Sequence, residues 1–448
     1  LSATRWVSNF VLQKTIPYKS SWQNYSLPTL SQWAPHYFNF ILSHDKEKKD
    51  YYHSSIQVDL QKLAIEQLQT QVRSLKSQNV HDGAILVLDN QSGEVLAYVG
   101  SSGAEHSSSP AVDFVQAKRQ AASTLKPFLY AQALENKLLE PGSWLEDSPV
   151  EIVFANGSYQ PTNHDRQFYG WVRAASALSS SLNVPAVRLV SELGVDRFWL
   201  SLNHLGFGPL QDPDYYGPAL ALGVVDVSLW QLTNAYRQLA IGQFVNATAT
   251  AEIFWMLSQH ENRSLSFGIE SNLLTSFPAA VKTGTSKDMR DNWCVGYTKK
   301  YTVGVWLGNA NGAAMWNVMG IAGAAPIWQK IISYLENKSP SMGYLNEQED
   351  KRILARYSEL KRRPLLSVYR ITYPTDKTVF AMDPGIPMQN QKIPLQASTL
   401  NSAVVQKNIR WIVDGKPVDA LWSLQKGKHK LELWSQNQKQ DQIEITVK

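Results

Sequence analysis

The sequence predicts an α+β fold in which helices pack on one antiparallel sheet, followed by a small β-sandwich. An amphipathic helical pattern is followed by two β-type runs, AILVLD and EVLAYVG. After a helical middle, β-type runs return in WCVGY and YTVGVWLG, and another apolar-periodic helix follows them. From Val368 onward, short β-type runs recur between turn signals, as in a sandwich of about eighty residues. This order of elements is typical of an α+β domain.

The composition is that of a globular protein and argues against several kinds of site. The 448 residues are enough for two or three domains. The net charge of +5 is mild and no Lys/Arg block forms a long stripe, so we expect no nucleic-acid partner. Cys294 is the single cysteine, which excludes an internal disulfide and a zinc cluster made of thiolates. We expect no metal and no cofactor.

The start of the chain has the pattern of an internal segment. LSATRWVSNF contains no initiating Met and no signal-peptide pattern, and no apolar run in the chain approaches the ~20 residues that span a bilayer. We therefore interpret the upstream part as missing. Residues 1 to about 52 are rich in Pro, Ser and aromatic residues without a clear period, which predicts a segment that packs on something else.

The first predicted helix covers Gln57 to Asn79. Its apolar residues fall at helical spacing between Gln and Lys, and they are Leu60, Leu63, Ala64, Leu68, Val72 and Leu75. The hairpin around NQSG comes next, then a Ser/Gly loop over 101–110. A second helix is predicted from Thr124 to about Leu139, because Pro127 is tolerated only in a first turn.

The middle of the chain, roughly 171–243, is predicted to be helical, with breaks at Asn183/Pro185 and at GFGP. AVKTGTS and the two later β-type runs are predicted strands, and a helix around Ile327 to Leu335 should cover the sheet. The charged stretch NEQEDKRILARYSELKRR is predicted to be a linker or a short exposed helix. The chain contains no internal repeat.

A serine followed three residues later by a lysine occurs at four places, so this spacing alone identifies no site. The pairs are Ser43/Lys46, Ser123/Lys126, Ser358/Lys361 and Ser423/Lys426. Only Ser123 is followed in order by SLN, Ser181 to Asn183, and then by the KTG of KTGTS, which occurs once. SLN alone is weak evidence, since it recurs at 201–203. The ordered triple SxxK, SxN and KTG is typical of penicillin-recognising serine acyltransferases.

The chemistry of acyl transfer accounts for these residue types. A serine hydroxyl needs a base to take its proton, and Lys126 lies one helical turn from Ser123. Lys126 is a base only when neutral, a state that desolvation and a neighbouring cation such as Lys282 favour. Ser181 and Lys282 would complete a proton path to the leaving group.

The KTG strand and the SLN loop supply the predicted substrate contacts. Thr283 and Thr285, on either side of Gly284, are expected to hold a substrate carboxylate. The backbone N–H groups of Ser123 and Thr285 would form the oxyanion hole, and Asn183 would bind a side-chain amide of the substrate.

Beyond these motifs, the chain resembles the transpeptidase part of a class A penicillin-binding protein, most closely the 1C type. The resemblance runs from about 55 to 338 and includes AILVLDNQSGEVLAYVGS, STLKPFLYAQAL and KTGTSKDMRDNWCVGYTKKYTVGVWLGN. IRWIVDGKP and GKHKLELW resemble the C-terminal domain of that type. The family usually has Pro-Gly before the nucleophile, where this chain has Ala121 and Ala122, and the NGG usual after the NAY helix is here IGQ, Ile241 to Gln243.

The resemblance implies a fold and a division of the chain. The fold is a penicillin-binding/β-lactamase-like domain, with an antiparallel sheet, helices on both sides and a helical subdomain, followed by the β-sandwich. The expected parts are a linker from an upstream domain at 1–55, the transpeptidase domain at 56–345, a charged linker at 346–365 and the sandwich at 366–448. Family members normally have a membrane anchor and a glycosyltransferase domain upstream.

It also implies a reaction and a location. Ser123 would attack the D-Ala-D-Ala end of a peptidoglycan stem peptide, and an amine of a neighbouring stem peptide would resolve the ester into a cross-link. β-Lactam antibiotics would acylate the same serine. The expected place is the periplasmic face of the bacterial inner membrane, and cell-wall synthesis proteins are possible partners of the C-terminal domain.

Two other functions remain compatible with the sequence. Water could resolve the acyl-enzyme, as in a carboxypeptidase or a β-lactamase, although the glutamate loop of the hydrolytic lactamases has no counterpart here. Alternatively, a slow site would leave a penicillin-binding module that recruits cell-wall partners.

Three further residue groups have ordinary structural interpretations. Cys294 is interpreted as a buried small hydrophobe, and His164 and Asp165 as loop residues that line the cleft. The Trp residues of the tail are interpreted as sandwich core, the alternative being a glycan-binding platform.

Overall fold

The computed structural model describes residues 30–45, 53–150, 152–154, 157–268, 271–341, 343–362, 370–382, 385, 387, 390–398, 409–435 and 438–448. Most of the predicted upstream segment, residues 1–29 and 46–52, lies outside the described residues, as do residues 363–365 of the predicted linker. The chain divides into two compact units. The larger consists of the described residues within Leu1–Leu145, Val150–Arg166 and Arg173–Ser358, and the smaller of those within Glu146–Pro149, Gln167–Val172 and Glu359–Lys448.

The helices of the described residues are α1 (Leu30–Trp33), α2 (Pro35–His44), α3 (Val58–Ser74), α4 (Lys126–Glu135), α5 (Ala174–Ser179), α6 (Asn183–Leu193), α7 (Val195–His204), α8 (Pro213–Tyr216), α9 (Leu229–Ala240), α10 (Ala247–Ser258), α11 (Ser264–Phe267), α12 (Ala324–Lys338) and α13 (Glu347–Arg362). Short 3₁₀ turns lie at Lys76–Gln78, Ala122–Leu125, Gly217–Leu222, His260–Arg263 and Lys287–Met289.

The strands are β1 (Asp82–Asp89), β2 (Val95–Val99), β3 (Arg119–Gln120), β4 (Trp144–Asp147), β5 (Ile152–Phe154), β6 (Gly157–Tyr159), β7 (Gly170–Arg173), β8 (Asp226–Val227), β9 (Ala280–Thr285), β10 (Asp291–Tyr297), β11 (Tyr301–Gly308), β12 (Arg370–Tyr373), β13 (Val379–Phe380), β14 (Lys392–Pro394), β15 (Gln396–Ser398), β16 (Ile409–Val413), β17 (Lys416–Val418), β18 (Leu421–Ser423), β19 (Gly427–Ser435) and β20 (Gln438–Val447).

The larger unit is built on a five-stranded antiparallel sheet in the order β2-β1-β11-β10-β9. Side chains alternate between the two faces along each strand. In β10, Trp293 and Val295 belong to one apolar core and Cys294, fully buried, to the other. Helices α3 and α12 cover the Cys294 face, and α9 and α10 cover the opposite face. The predicted sheet with helices on both sides is confirmed, as is the interpretation of Cys294.

Local sequence signals account for the beginnings of several helices. Helix α9 begins with a capping box, in which the Ser228 hydroxyl accepts from the Gln231 N–H and the Gln231 side chain accepts from the Ser228 N–H. The Asn246 side chain caps α10 in a similar way by accepting from the Ala249 N–H. The predicted stripe on α3 is buried at Leu60, Ala64, Leu68 and Val72.

Three sequence expectations need correction. The helix predicted from Thr124 starts with a 3₁₀ turn, and its α-helical part begins at Lys126. Residues 171–173, predicted helical, belong to strand β7. Asn183 does not break the helical region but begins α6, since the break lies at 180–182. The sequence analysis predicted no element between 243 and AVKTGTS, where the structure contains helix α10.

The charged stretch after the sheet is a helix and not an irregular linker. Residues 347–362 form α13, and Ile353 is buried against the core of the larger unit. Glu347 and Lys351 form the expected exposed i,i+4 pair, and acidic residues occupy the first turn, which favours a helix. The helical alternative of the prediction is therefore the correct one, but one side of this helix is not exposed.

The smaller unit is rich in β-structure. Its main sheet has the order β13-β20-β19-β16-β17, and β12-β15 and β14-β18 form two further ribbons. Trp411 and Trp422 are buried in a core that also contains Leu431, Leu433 and Ile445. The interpretation of these two tryptophans as core residues is confirmed.

Among the described residues, no helix combines the length and the apolar character needed to cross a membrane.

Candidate active site

Ser123 lies in the 3₁₀ turn Ala122–Leu125, directly before α4. Ala121 has φ −63° and ψ −28°, while Ala122 has φ +51°, in the left-handed region that favours glycine. The Ala121 N–H donates to the Val225 carbonyl and the Ala122 N–H to the Gly223 carbonyl, both at 2.9 Å. These bonds continue the β3-β8 ribbon up to the nucleophile. Ala121 and Ala122 therefore adopt the backbone conformation that a Pro-Gly pair would favour.

Close packing fixes this turn from two sides. Gly223 has φ +73°, and a Cβ added to it would lie 1.8 Å from the Ala122 carbonyl oxygen, so only glycine fits. The Thr124 hydroxyl donates to the Ala121 carbonyl at 2.6 Å, and the Tyr236 hydroxyl donates to the Thr124 carbonyl at 2.7 Å. The position of Ser123 thus depends on the turn itself and on two distant parts of the chain, around Gly223 and at Tyr236.

Lys126 begins α4 and is fully buried, with 0 % of its surface exposed. Its Nζ donates to the Ser181 carbonyl at 2.7 Å, to the Leu182 carbonyl at 3.0 Å and to Asn183 Oδ1 at 2.7 Å. Because all three acceptors belong to the SLN loop, Lys126 ties this loop to the helix that follows Ser123.

Ser181 and Lys282 are in direct contact. The Lys282 Nζ donates to Ser181 Oγ at 2.8 Å and to the Thr283 carbonyl at 2.7 Å. Ser181 has φ +62°, a strained conformation for serine that directs its hydroxyl to this lysine. Lys282 is 1 % exposed, and this burial lowers its pKa to about 7. The pair can therefore exchange a proton near neutral pH.

Asn183 is held by contacts on three sides. Its Oδ1 accepts from Lys126, its Nδ2 donates to the Thr162 carbonyl at 2.8 Å, and its backbone N–H donates to Asn163 Oδ1 at 2.8 Å. A substrate amide that binds Asn183 as predicted would therefore compete with Lys126 and the Thr162 carbonyl for its side-chain amide. Asn163 was missed by the sequence analysis.

The KTG strand β9 packs directly on the nucleophile turn. A Cβ at Gly284 would lie 2.8 Å from Thr124 Cγ2 and 3.1 Å from the Ala121 carbonyl oxygen, which explains the glycine. Thr285 Oγ1 accepts from the Gly320 N–H at 3.0 Å, and Thr283 is buried. The strand thus brings its two threonines beside Ser123.

These residues surround one cleft of about 570 Å³ in the larger unit. Ser123, Ser181, Asn183, Thr283 and Thr285 line it, while Lys126 and Lys282 are buried side chains behind the lining serines. The sequence analysis did not anticipate several further lining residues, which are Gln120, Ser180, Phe267, Lys287 and Met319.

His164 and Asp165 line the cleft, as predicted for loop residues. In the described part of the chain, no group of three or more His, Cys, Asp or Glu residues is arranged to hold a metal ion.

A Ser-Lys pair, an SxN loop and a KTG strand around one cleft form the arrangement that is typical of penicillin-recognising acyltransferases. The family described as the penicillin-binding protein transpeptidase domain matches residues 83–333, more than half of the chain, and a penicillin-binding protein C-terminus family matches 363–445. The chain belongs to the penicillin-binding protein family.

Two curated relatives give the extent of the similarity. Penicillin-binding protein 1C of Escherichia coli K12 is 31% identical over 278 residues, which cover 58% of this chain and 35% of the relative. Penicillin-binding protein 1B of the same organism is 29% identical over 305 residues, which cover 60% and 34%. The chain spans about a third of the length of these relatives.

Solved structures support the same fold. The PonA1 protein of Mycobacterium tuberculosis in complex with penicillin V has a TM-score of 0.57 and 19% identity, covering 70% of this chain and 93% of that one. Penicillin-binding protein 1A of Haemophilus influenzae has a TM-score of 0.52 and 20% identity, covering 59% and 49%. At these identities the likeness concerns the fold alone.

Proposed function

We propose that this chain is a peptidoglycan DD-transpeptidase that cross-links stem peptides through an acyl-enzyme on Ser123. The observation that supports this best is the Lys282–Ser181 contact at 2.8 Å in the cleft that Ser123 lines. It supplies a proton-transfer pair beside a serine nucleophile, which acyl transfer requires. Membership of the transpeptidase family supports the same reaction class.

In the first step, Ser123 Oγ attacks the carbonyl carbon of the penultimate D-Ala and its proton passes to Lys126. Three acceptors lie within 3.0 Å of Lys126 Nζ, one for each proton of an ammonium. A neutral Lys126 has two N–H groups and one lone pair, so accepting the Ser123 proton requires that one of these three bonds be released beforehand. The strength of these bonds therefore affects the rate of acylation.

In the second step, the peptide C–N bond breaks and the terminal D-Ala leaves with the proton that Lys126 took from Ser123, which neutral Lys282 and the Ser181 hydroxyl relay to the leaving nitrogen. An amine of a neighbouring stem peptide then attacks the ester and forms the new amide, and its proton passes through Lys126 to Ser123, so that both lysines end the cycle neutral. The backbone N–H groups of Ser123 and Thr285 would stabilise the oxyanion in both steps, and Thr283 and Thr285 would hold the terminal carboxylate of the donor. β-Lactams would acylate Ser123 as mimics of that donor.

The location and partners follow from the family and remain part of the proposal. We place the protein at the periplasmic face of the inner membrane, where peptidoglycan is made. The domain division at 56–345 and 366–448 is proposed on the same basis, with cell-wall synthesis proteins as partners of the C-terminal domain.

Incubation with fluorescent penicillin tests the site. We expect stable labelling of the parent, loss of labelling in Ser123→Ala, and full labelling in Ser43→Ala, which alters another SxxK serine on α2. Absence of labelling in the folded parent would contradict the proposal. Product analysis with a D-Ala-D-Ala peptide and an acceptor amine then tests the fate of the acyl group. Exclusive release of the hydrolysed peptide would indicate a carboxypeptidase.

A further inference from the structure

A second cavity of about 570 Å³ adjoins the candidate active site within the larger unit. Phe267 lines both cavities. In the loop before α12, Met319 lines the candidate active site, and Ile321, two residues later, lines the second cavity. We call this second cavity the side groove. Its described lining consists of Phe267, Leu274, Ile321, Ala322 and three polar side chains, so the two cavities meet at Phe267 and along the loop at 319–322.

The loop at 319–322 also brings the side groove close to the KTG strand. The Gly320 N–H donates to Thr285 Oγ1 at 3.0 Å. A Cβ on Gly320 would lie 2.9 Å from the Gly284 carbonyl oxygen, so this loop lies directly against β9. The side groove therefore begins next to the two threonines that are proposed to hold the terminal carboxylate of the donor.

Hydrogen bonds between side chains and backbone fix the walls of the side groove. The Asn272 side chain donates to the Ile321 carbonyl at 3.1 Å, which joins the turn before β9 to the loop at 319–322. The Gln329 side chain, on α12, donates to the Leu274 carbonyl at 2.7 Å. Because these bonds hold the groove open without a ligand, a molecule that binds there finds a site that is largely formed.

The lining of the side groove is polar but uncharged. None of its described lining residues is Asp, Glu, Lys, Arg or His. Its polar side chains are Ser271, Asn272 and Gln329, and within the described residues neither amide carbonyl oxygen accepts a hydrogen bond. Leu274, which is 44% exposed, and Phe267 add apolar surface. Amide groups beside apolar side chains match a peptide, whose backbone needs hydrogen bonds and whose side chains need apolar contacts.

Cross-linking requires a second peptide at Ser123. The acceptor amine forms a C–N bond to the ester carbonyl carbon, the C–O bond to Ser123 breaks, and the amine proton returns through Lys126 to the serine oxygen. Before this step, the terminal D-Ala has left the place beside Thr283 and Thr285. The side groove adjoins that place through the contact of Gly320 with Thr285, so it lies where an acceptor can enter after the leaving group departs.

We propose that the side groove binds the acceptor stem peptide, with the peptide backbone against Asn272 and Gln329 and the amine directed past Phe267 to the Ser123 ester. This assignment rests on the proposed function above, because it names the binding place of the second substrate of that reaction.

The test fills the side groove without removing a native contact. Ala322 is exposed and lines the groove, and its hydrogen bonds to Met319 and Gln71 use backbone atoms only. Ala322→Trp is compared with Ala247→Trp, which adds the same side chain at the exposed start of α10, outside the described lining of both cavities. Acylation by penicillin needs no acceptor, so both variants should keep the parent rate.

The fate of the acyl group is then measured with a D-Ala-D-Ala donor and two acceptors. One acceptor is a stem peptide with a free side-chain amine, and the other is glycinamide, which is too short to occupy the groove. With the stem peptide, the ratio of aminolysed to hydrolysed product should fall by about tenfold in Ala322→Trp and stay at the parent value in Ala247→Trp. With glycinamide, the ratio should stay at the parent value in both. An equal loss with the two acceptors, or no loss with the stem peptide, would overturn the inference.

A second variant and a binding measurement separate the inference from folding and from the proposed function. If Ala322→Trp does not fold, Leu274→Ser decides, since it removes only exposed apolar surface and should lower the stem-peptide ratio by a smaller factor. An unchanged ratio in that variant overturns the inference. If the parent is not acylated, the proposed function fails, and fluorescence anisotropy of a labelled stem peptide with Ser123→Ala decides. Weaker binding after Ala322→Trp is added supports the groove as a peptide site, whereas equal affinity or no binding to Ser123→Ala overturns it.

Discussion

The Lys282 Nζ lies 2.8 Å from Ser181 Oγ, although the two residues are 101 positions apart in the chain. Ser181→Ala removes the hydroxyl through which a proton would pass, and we expect the second-order rate constant for acylation by penicillin to fall by roughly 100-fold or more. Ser201→Ala is the control. It lies in the second SLN and its buried hydroxyl bonds the Phe198 carbonyl, so it should keep the parent rate. Equal rates for all three proteins would argue against a proton path through Ser181.

The low pKa of Lys282 predicts a pH-dependent cost in stability. The unfolded chain binds a proton on this lysine up to about pH 10.5, whereas the folded protein releases it above about pH 7. Below pH 7, burial of the protonated Lys282 therefore lowers the free energy of unfolding by its full amount. This destabilisation disappears as the pH rises toward 10.5. We expect Lys282→Met to be more stable than the parent at pH 7. The gap, which is the difference in free energy of unfolding between variant and parent, should narrow by about 1.4 kcal/mol for each unit by which the pH rises.

Denaturant unfolding of parent and variant between pH 7 and 10 measures this gap. Lys287→Met, which removes an exposed lysine that lines the cleft, is the control for the loss of a lysine side chain. A constant gap for Lys282→Met would show that the buried lysine is not neutral in the folded protein.

The left-handed backbone at Ala122 predicts a stabilising substitution. Ala122→Gly relieves the strain at φ +51°, and we expect the free energy of unfolding to rise by about 0.5–1 kcal/mol. Ala131→Gly, in the interior of α4, should lower it by about 1 kcal/mol or more. Chemical denaturation of both variants checks the opposite signs, and a loss of stability in Ala122→Gly would contradict the assigned conformation.

Because the KTG strand contacts the nucleophile turn, we expect a substitution at Thr124 to restore part of the acylation rate that a substitution at Gly284 removes. Gly284→Ala places a methyl group 2.8 Å from Thr124 Cγ2, so the strand must move from Ser123, and we expect acylation to slow by about tenfold or more. Thr124→Ser removes Cγ2 and keeps the hydroxyl that bonds the Ala121 carbonyl. The double variant should regain part of the lost rate in stopped-flow acylation. If Gly284→Ala keeps the parent rate, the packing is not required.

Helix α13 offers a comparison between two neighbouring residues. Ile353 is buried, whereas Leu354 is 48% exposed. Ile353→Ala should lower the free energy of unfolding by about 2–4 kcal/mol because it leaves a cavity, and Leu354→Ala should change it by less than about 0.5 kcal/mol. Thermal and denaturant unfolding measure both. Equal small effects would mean that α13 does not pack on the larger unit.

Local patterns account for the parts of the fold that were predicted correctly. The hairpin β1-β2 and the pair β10-β11 were recognised because β-type apolar runs and short turns are properties of neighbouring residues. The charged stretch at 347–362 was harder, since its composition indicates exposure while a few apolar residues, such as Ile353, pack on a partner that local sequence does not reveal.

The sequence pointed to some residues of the candidate site and not to others. The three motifs identified Ser123, Ser181 and Lys282 as chemically suited groups. Asn163 was missed, because its contact with the Asn183 N–H joins residues 20 positions apart that only the folded chain brings together. The left-handed conformation of Ala122 was also not predicted, although the sequence analysis noted that the family usually has a glycine at this position.

By itself, the sequence determined which chemical groups are available, their order in the chain and the periods that form strands and helices. Tertiary structure decided that Lys126 reaches the SLN loop and Lys282 reaches Ser181, across 55 and 101 residues. It also decided the pKa of Lys282, since desolvation depends on the surrounding elements and not on the residue itself. Distance and burial are properties of the packed chain, and no local pattern specifies them.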